Sequence, residues 1–286
     1  MLNWFFNIKR AIKTKSYRLA IFEIVLFGIL LAIYMVTAWI ENKIIPGVAR
    51  ISITYAIFII FGIALGPWKG AFLGILCDTI KQVIFGIGTW MIEYAIIPII
   101  IAFISGYLIK TIYIYNKGVW IFGFSILAII TIILTIFLIF NDNIIKWKET
   151  SLKQKPISSF IVWIISTISI SVIWAISFVL FGIHLKTKNF KKKYHTQLLF
   201  WIIISVFIII ILVRWLWGPF AYISYHNRFR NGSWKYSQYY FIFMIPIIFK
   251  SLIEIPVYGA IIFAIFPLIK KIHEKISFHS SKIFTY

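Results

Sequence analysis

Residues 121–140 run for twenty positions without an ionisable side chain, and 160–181 and 198–213 are equally free of charge. A helix needs roughly 20 apolar residues to cross about 30 Å of hydrocarbon, and these runs approach or exceed that length. In hydrocarbon every backbone amide must find its partner inside the chain, which leaves helices or a closed barrel. Barrel strands alternate polar and apolar residues over about ten positions, and these runs do not alternate. The chain is therefore expected to be an all-α integral membrane protein. Its composition agrees, with 62% hydrophobic and only 13% charged residues, where a soluble domain carries about 25% charge.

Eight spans are expected, at 21–40, 51–66, 70–86, 92–109, 119–140, 159–183, 198–217 and 240–268. The second and third are separated only by Gly66-Pro67-Trp68-Lys69-Gly70, which predicts a tight hairpin. An even number of spans puts both termini on one side. The basic arm over 1–20 (Lys9, Arg10, Lys13, Lys15, Arg18) and the basic tail (Lys270, Lys271, Lys275, Lys282) assign that side to the cytoplasm of a plasma-membrane, multi-pass protein. The first apolar run lacks a small-residue cleavage site, so it is read as a retained helix and not a signal peptide. The net charge of +21 is then a topology signal with headgroup contacts. A nucleic-acid partner is not expected, because no aqueous domain exists to carry a basic stripe.

Catalytic signatures are missing from the sequence. There is no phosphate loop and no H-E-x-x-H. His184, His195, His226, His273 and His279 fall in loops or at span ends without metal-ligand spacing. No serine sits in a G-x-S-x-G elbow, and the lone Cys77 reads as a small buried hydrophobe. Neither enzymatic activity nor a cofactor or metal is expected, and without a phosphate loop the chain needs external energy or none.

Ionisable groups at membrane depth are costly and mark function by default. Asp78 and Lys81 stand three apart, and Lys250 and Glu254 four apart, so each pair is expected to neutralise itself along one helical face. Glu23 and Glu93 lie near span ends, within reach of water. Gly28 and Ala32 form a small-x-x-x-small pair, and Gly70, Gly74 and Asp78 line one face expected to pack on a neighbouring helix. After Arg214-Trp215-Leu216-Trp217-Gly218-Pro219 comes a tyrosine-rich stretch, expected to be an outer loop, with Tyr222, Tyr225, Arg228, Arg230, Trp234 and Tyr236. It reads either as an interfacial aromatic belt or as a lid whose rings stack on a flat heterocycle while arginines pair with its carboxylates. The loop Gly86 to Trp90 would face it.

The order of motifs resembles the substrate-binding (S) components of energy-coupling factor (ECF) vitamin transporters, especially the folate-type members. Arg50-Ile51-Ser52 looks like the opening of that family's second helix, and Gly66-Pro67 with Gly70 like its hairpin turn. Gly74 and Asp78 match its third helix, Ser105-Gly106-Tyr107 its fourth-helix ending, and Lys250 through Glu254 and Pro256 to Tyr258 its C-terminal pattern. The resemblance implies a six-helix bundle, with 21–114 as the first four helices, 115–186 as an inserted helical hairpin, and 187–286 as the last two core helices and tail. It also implies a protein that captures a vitamin from outside and docks on a membrane coupling subunit driven by two ATPase subunits. Gly28 and Ala32 would contact the coupling subunit. Arg50, Trp90, Arg214, Trp215, Trp217 and Lys250 are the implied ligand-binding candidates, with Asp78, Lys81 and Glu254 as structural or ion-pairing residues. Folate is the first choice of ligand, and riboflavin or another vitamin stays open. The chain departs from the pattern in its two additional spans, in retaining only Gly88-Thr89-Trp90 of an outer-loop motif, and in lacking an arginine over 241–249. A self-sufficient transporter or channel, or a non-catalytic membrane assembly protein, is the alternative reading.

Overall fold

A computed structural model of the chain describes residues 21–44, 52–86, 90–114, 118–140 and 159–282. These form α1 (Ile21–Ile44), α2 (Thr54–Leu65), α3 (Pro67–Phe85), α4 (Ile92–Ile114), α5 (Val119–Phe140), α6 (Ser159–Lys186), α7 (Phe190–Ile210), α8 (Trp217–Phe229) and α9 (Tyr236–Lys282), with a π-helical turn, Ile211–Leu216, joining α7 to α8. No strand occurs among the described residues, so the all-α expectation holds. Helices long and apolar enough to cross a membrane lie within Glu23–Asn42, Val119–Phe140, Trp163–Lys186, Phe190–Phe229 and Tyr239–Ile272. The chain is thus a multi-pass membrane protein. The apolar α2 has only 12 residues, or roughly 18 Å at 1.5 Å per residue, too short to cross alone. It is nearly all buried between its neighbours.

The predicted hairpin forms between α2 and α3. Gly66 turns the chain at φ 81°, a left-handed conformation that only glycine takes without steric cost. Pro67 then opens α3, where its missing N–H is not needed and its fixed φ suits the first turn. The small residues of α3 let backbone meet backbone, as their spacing predicts. A Cβ on Gly70 would lie 2.7 Å from the Phe61 carbonyl oxygen of α2, and one on Gly74 would lie 3.0 Å from the Pro98 carbonyl oxygen of α4. Gly106 of α4 closes the same trio against Pro67. With no hydrophobic drive between helices in lipid, such close van der Waals contact is what holds them together.

Helix α1 lies against this trio through a buried stripe at four-residue spacing, Leu26, Leu30, Tyr34 and Ala38. Both of its ends are tied. Near the start, Lys69 Nζ contacts both carboxylate oxygens of Glu23, at 2.6 and 2.7 Å, so Glu23 is paired across helices. At the other end, Glu41 accepts from the Thr54 backbone N–H (2.7 Å) and hydroxyl (3.1 Å). That places a carboxylate on the positive N-terminal end of α2, whose first amides have no partner within the helix.

The hairpin α5–α6 packs on α7 and α9. Its interior is aromatic, with Trp120 stacked on Phe200 of α7 (4.3 Å between centroids) and on Phe124 (6.3 Å). The Trp174 indole donates to the Thr131 hydroxyl (3.1 Å), joining the two helices of the hairpin. Their other faces expose Ile121, Ile132, Ile133, Val172 and Val179, as lipid contact requires.

The tyrosine-rich stretch is not the loop the sequence predicts, because 217–229 are helical. Pro219 cannot donate to the carbonyl four residues back, and its ring crowds that carbonyl. The preceding turn widens to a π-helix, in which the Trp217 N–H reaches the Leu212 carbonyl, and the rod continues past the proline. The Tyr240 hydroxyl satisfies the Leu216 carbonyl at 2.7 Å. Chain reversal to α9 is confined to 230–235. There Asn231 adopts φ 49°, which asparagine tolerates, and the Asn227 amide exchanges two hydrogen bonds with the Trp234 backbone, each 2.9 Å. At 47 residues, α9 is roughly 70 Å long and extends well beyond the hydrocarbon.

Candidate functional site

Polar side chains from α1, α2, α3, α4, the π-turn, α8 and α9 meet at one end of the bundle, the end opposite the Gly66 turn. Arg214 Nη1 contacts Glu254 Oε1 at 2.5 Å, with the two side chains 12% and 0% exposed. The Arg214 guanidinium also lies over the Tyr55 ring, 5.0 Å from its centroid, a cation–π contact. Three helical segments therefore converge on one largely covered cation. The Tyr258 hydroxyl donates to the Ser52 carbonyl (2.6 Å), tying α9 to the start of α2 at the same level.

Above this pair the π-turn and α8 are fastened to α4 and α9. The Trp217 indole donates to the Glu93 carbonyl (2.7 Å), and Arg228 reaches the Glu93 carboxylate at 3.6 Å. The Trp215 indole donates to the Ser251 hydroxyl (3.0 Å), which donates on to the Ile248 carbonyl (2.6 Å). Between α3, α4 and α8 lies a cavity of about 270 Å³ lined by Gln82, Tyr94, Tyr222 and Tyr225. Tyr94 and Tyr225 meet edge to face, with centroids 6.3 Å apart. Tyr55, whose ring lies under the Arg214 guanidinium, also interacts electrostatically with Tyr94 of the cavity wall. Three phenols and an amide present flat apolar faces with hydrogen-bonding rims, a lining suited to a small aromatic ligand.

A model of the ECF-type riboflavin transporter S component matches residues 18–173, more than half of the chain. The chain belongs to that family. As an S component it is a vitamin-binding subunit of a membrane transporter, associated with an ECF module of coupling subunit and ATPases. The matched residues continue from α1 through α5 into α6. Among curated proteins and among solved structures, no match to the chain is found.

The ligand-binding candidates read from the S-component resemblance separate in the structure. Arg214 and Trp217 stand at the polar end, though neither lines the cavity. Trp215 is 1% exposed and its indole is used in packing the π-turn on α9. Lys250 is half-buried on α9, and the expected Lys250–Glu254 pair does not form: Glu254 pairs with Arg214, because the π-turn carries that longer side chain into the same layer. Trp90 is exposed in the segment leading to α4, while Arg50, Gly88 and Thr89 lie outside the described residues. Asp78 and Lys81 are within electrostatic reach of one another, and Lys81 also of Glu41. Glu93 is paired with Arg228 and largely covered. Gly28 has no atom within 4 Å of where a Cβ would stand, and Ala32 is exposed, so neither packs closely on another of the described residues. Gln82, Tyr94 and Tyr55 were missed in sequence. Their one signal is that they fall at span ends on the same side as Arg214 and the tyrosines of α8. Among the described residues there is no cluster of three or more metal-ligating side chains.

Proposed function

We propose that this S component captures a flat heterocyclic vitamin, riboflavin first, in the tyrosine-lined cavity at the end of the bundle opposite the Gly66 turn. The observation that carries this is the cavity itself: three tyrosines and a glutamine at the same end of the bundle as the Arg214–Glu254 pair, in a chain whose family name is that of riboflavin transporters. Aromatic stacking on Tyr94, Tyr222 and Tyr225 would supply affinity, and the polar end would orient the ring. Folate is the second reading, favoured by the Lys250 to Tyr258 pattern and by the capacity of Arg228 and Arg230 to pair with its carboxylates. The cavity end faces outside and both termini face the cytoplasm, in keeping with the basic arm and tail. The open small-residue face of α1 at Gly28 and Ala32 docks on the coupling subunit, which two ATPase subunits drive. The hairpin 115–186 is a peripheral addition to the core bundle.

A binding screen of the purified full chain against riboflavin, folate, thiamine and biotin tests this reading. Saturable stabilisation by riboflavin or folate, weakened in Tyr94→Ala and Tyr222→Ala, is the expected result. A flat screen of cooperatively folding protein would overturn it. Co-purification with the coupling subunit, lost in Gly28→Leu but kept in Ile133→Leu, tests the docking face.

A further inference from the structure

Glu254 is fully buried, and although Oε1 pairs with Arg214 Nη1, neither of its carboxylate oxygens completes a hydrogen bond among the described residues. Arg214 has five N–H groups, and its Nη1, which is buried and faces Glu254 Oε1, likewise completes no hydrogen bond among the described residues. An ionised carboxylate only accepts and a guanidinium only donates. Side by side, their unused atoms form a buried acceptor next to a buried donor. Leaving such groups unmet costs more than not having them, and charge at membrane depth marks function by default. Among the described residues Glu93 also leaves a buried oxygen, Oε2, without a hydrogen bond, but the other interhelical ion pairs lie at the far end or carry an exposed cation. Lys69–Glu23 lies at the opposite end with both carboxylate oxygens engaged, and the Arg228 side chain is 56% exposed.

We propose that Arg214 and Glu254 together read one edge of the ligand's ring, a ring N–H flanked by a ring carbonyl, with Glu254 Oε2 accepting from the N–H and Arg214 donating to the carbonyl. This deepens the vitamin-binding reading and rests on it. Cyclic imides and lactams carry that edge. Riboflavin and folate both have it, at N3 and the adjacent 4-oxo group, so the inference holds for either. Tyr55, which interacts with the pair and with Tyr94 of the cavity wall, is the side chain that turns aside as the ring enters. The π-turn is what makes the reader possible, since it brings its own Arg214 into the layer of Glu254.

The test uses the full chain and whichever of riboflavin and folate binds it, alongside that compound's N3-methyl derivative. Methylation removes the N–H and leaves the ring. Hydrogen bonds to charged groups predict that the unmodified chain binds the methyl derivative about tenfold more weakly or worse. Replacing the pair by apolar side chains of similar volume, Arg214→Met with Glu254→Met, preserves folding in many proteins. That variant should bind the parent vitamin about tenfold more weakly and should no longer distinguish it from the methyl derivative. Glu254→Gln, which keeps the shape, supplies the same readout if the double variant does not fold: discrimination should shrink. Equal binding of both compounds by the unmodified chain overturns the proposal, as does undiminished discrimination in a folded variant, while either result leaves the vitamin-binding reading intact. Failure of the unmodified chain to bind riboflavin and folate overturns both.

Discussion

Two glycines of the same bundle should respond in opposite directions to the same one-carbon change. A Cβ at Gly106 would stand 2.5 Å from Pro67 N, 2.8 Å from Pro67 Cα and 2.9 Å from the Gly62 carbonyl oxygen. All three are backbone atoms of the α2–α3 turn, so no rotamer change relieves the overlap and α4 must move away from the turn. Overpacking of this kind costs about 1–3 kcal/mol, and rigid backbone on every side argues for the upper end. Alanine regains roughly 1 kcal/mol of helix propensity over glycine, which leaves Gly106→Ala destabilised by about 2 kcal/mol. Gly28→Ala meets nothing within 4 Å and keeps the propensity gain of up to about 1 kcal/mol. For a chain of this size each kcal/mol moves Tm by roughly 2–4 °C. Thermal unfolding of the purified chain in one detergent should therefore show Gly106→Ala some 4–8 °C lower and Gly28→Ala unchanged or slightly higher. Equal upward shifts in both would refute the close approach of α4 to the α2–α3 turn.

Three further outcomes follow from the contacts described. Trp217→Phe removes the indole bond to the Glu93 carbonyl while keeping an aromatic ring, and should cost about 1 kcal/mol, with faster amide exchange in α8 relative to the rest of the bundle. A double-mutant cycle of Glu23→Gln and Lys69→Met should give a coupling energy of about 1 kcal/mol or less, because the pair is partly exposed. A coupling near zero would mean that the α1–α3 contact does not depend on it. Deleting 115–186 should lower Tm, since Phe200 loses its stacking on Trp120, yet leave vitamin binding intact. Loss of binding in a folded deletion variant would show that the hairpin shapes the cavity.

The sequence alone was enough to determine that this chain is helical and membrane-embedded, because the rule that hydrocarbon satisfies no backbone amide leaves few alternatives for runs such as 121–140. It was also enough to locate the α2–α3 hairpin, where Gly66-Pro67 permits little else, and the packing face of Gly70 and Gly74, where the absence of side chains is itself the signal. Partner choice among the charges was decided only in three dimensions. Lys250 stands four residues from Glu254, a spacing that permits a pair, but Arg214, forty residues distant, reaches the carboxylate because a π-turn before Pro219 carries it there. The same turn converts an apparent tyrosine loop into α8 and brings Tyr222 and Tyr225 over Tyr94, more than a hundred residues earlier in the chain. Local sequence encodes what each segment must hide from lipid or water. Which polar groups then meet depends on helix rotation and length, and these are set by the packing of distant segments on one another.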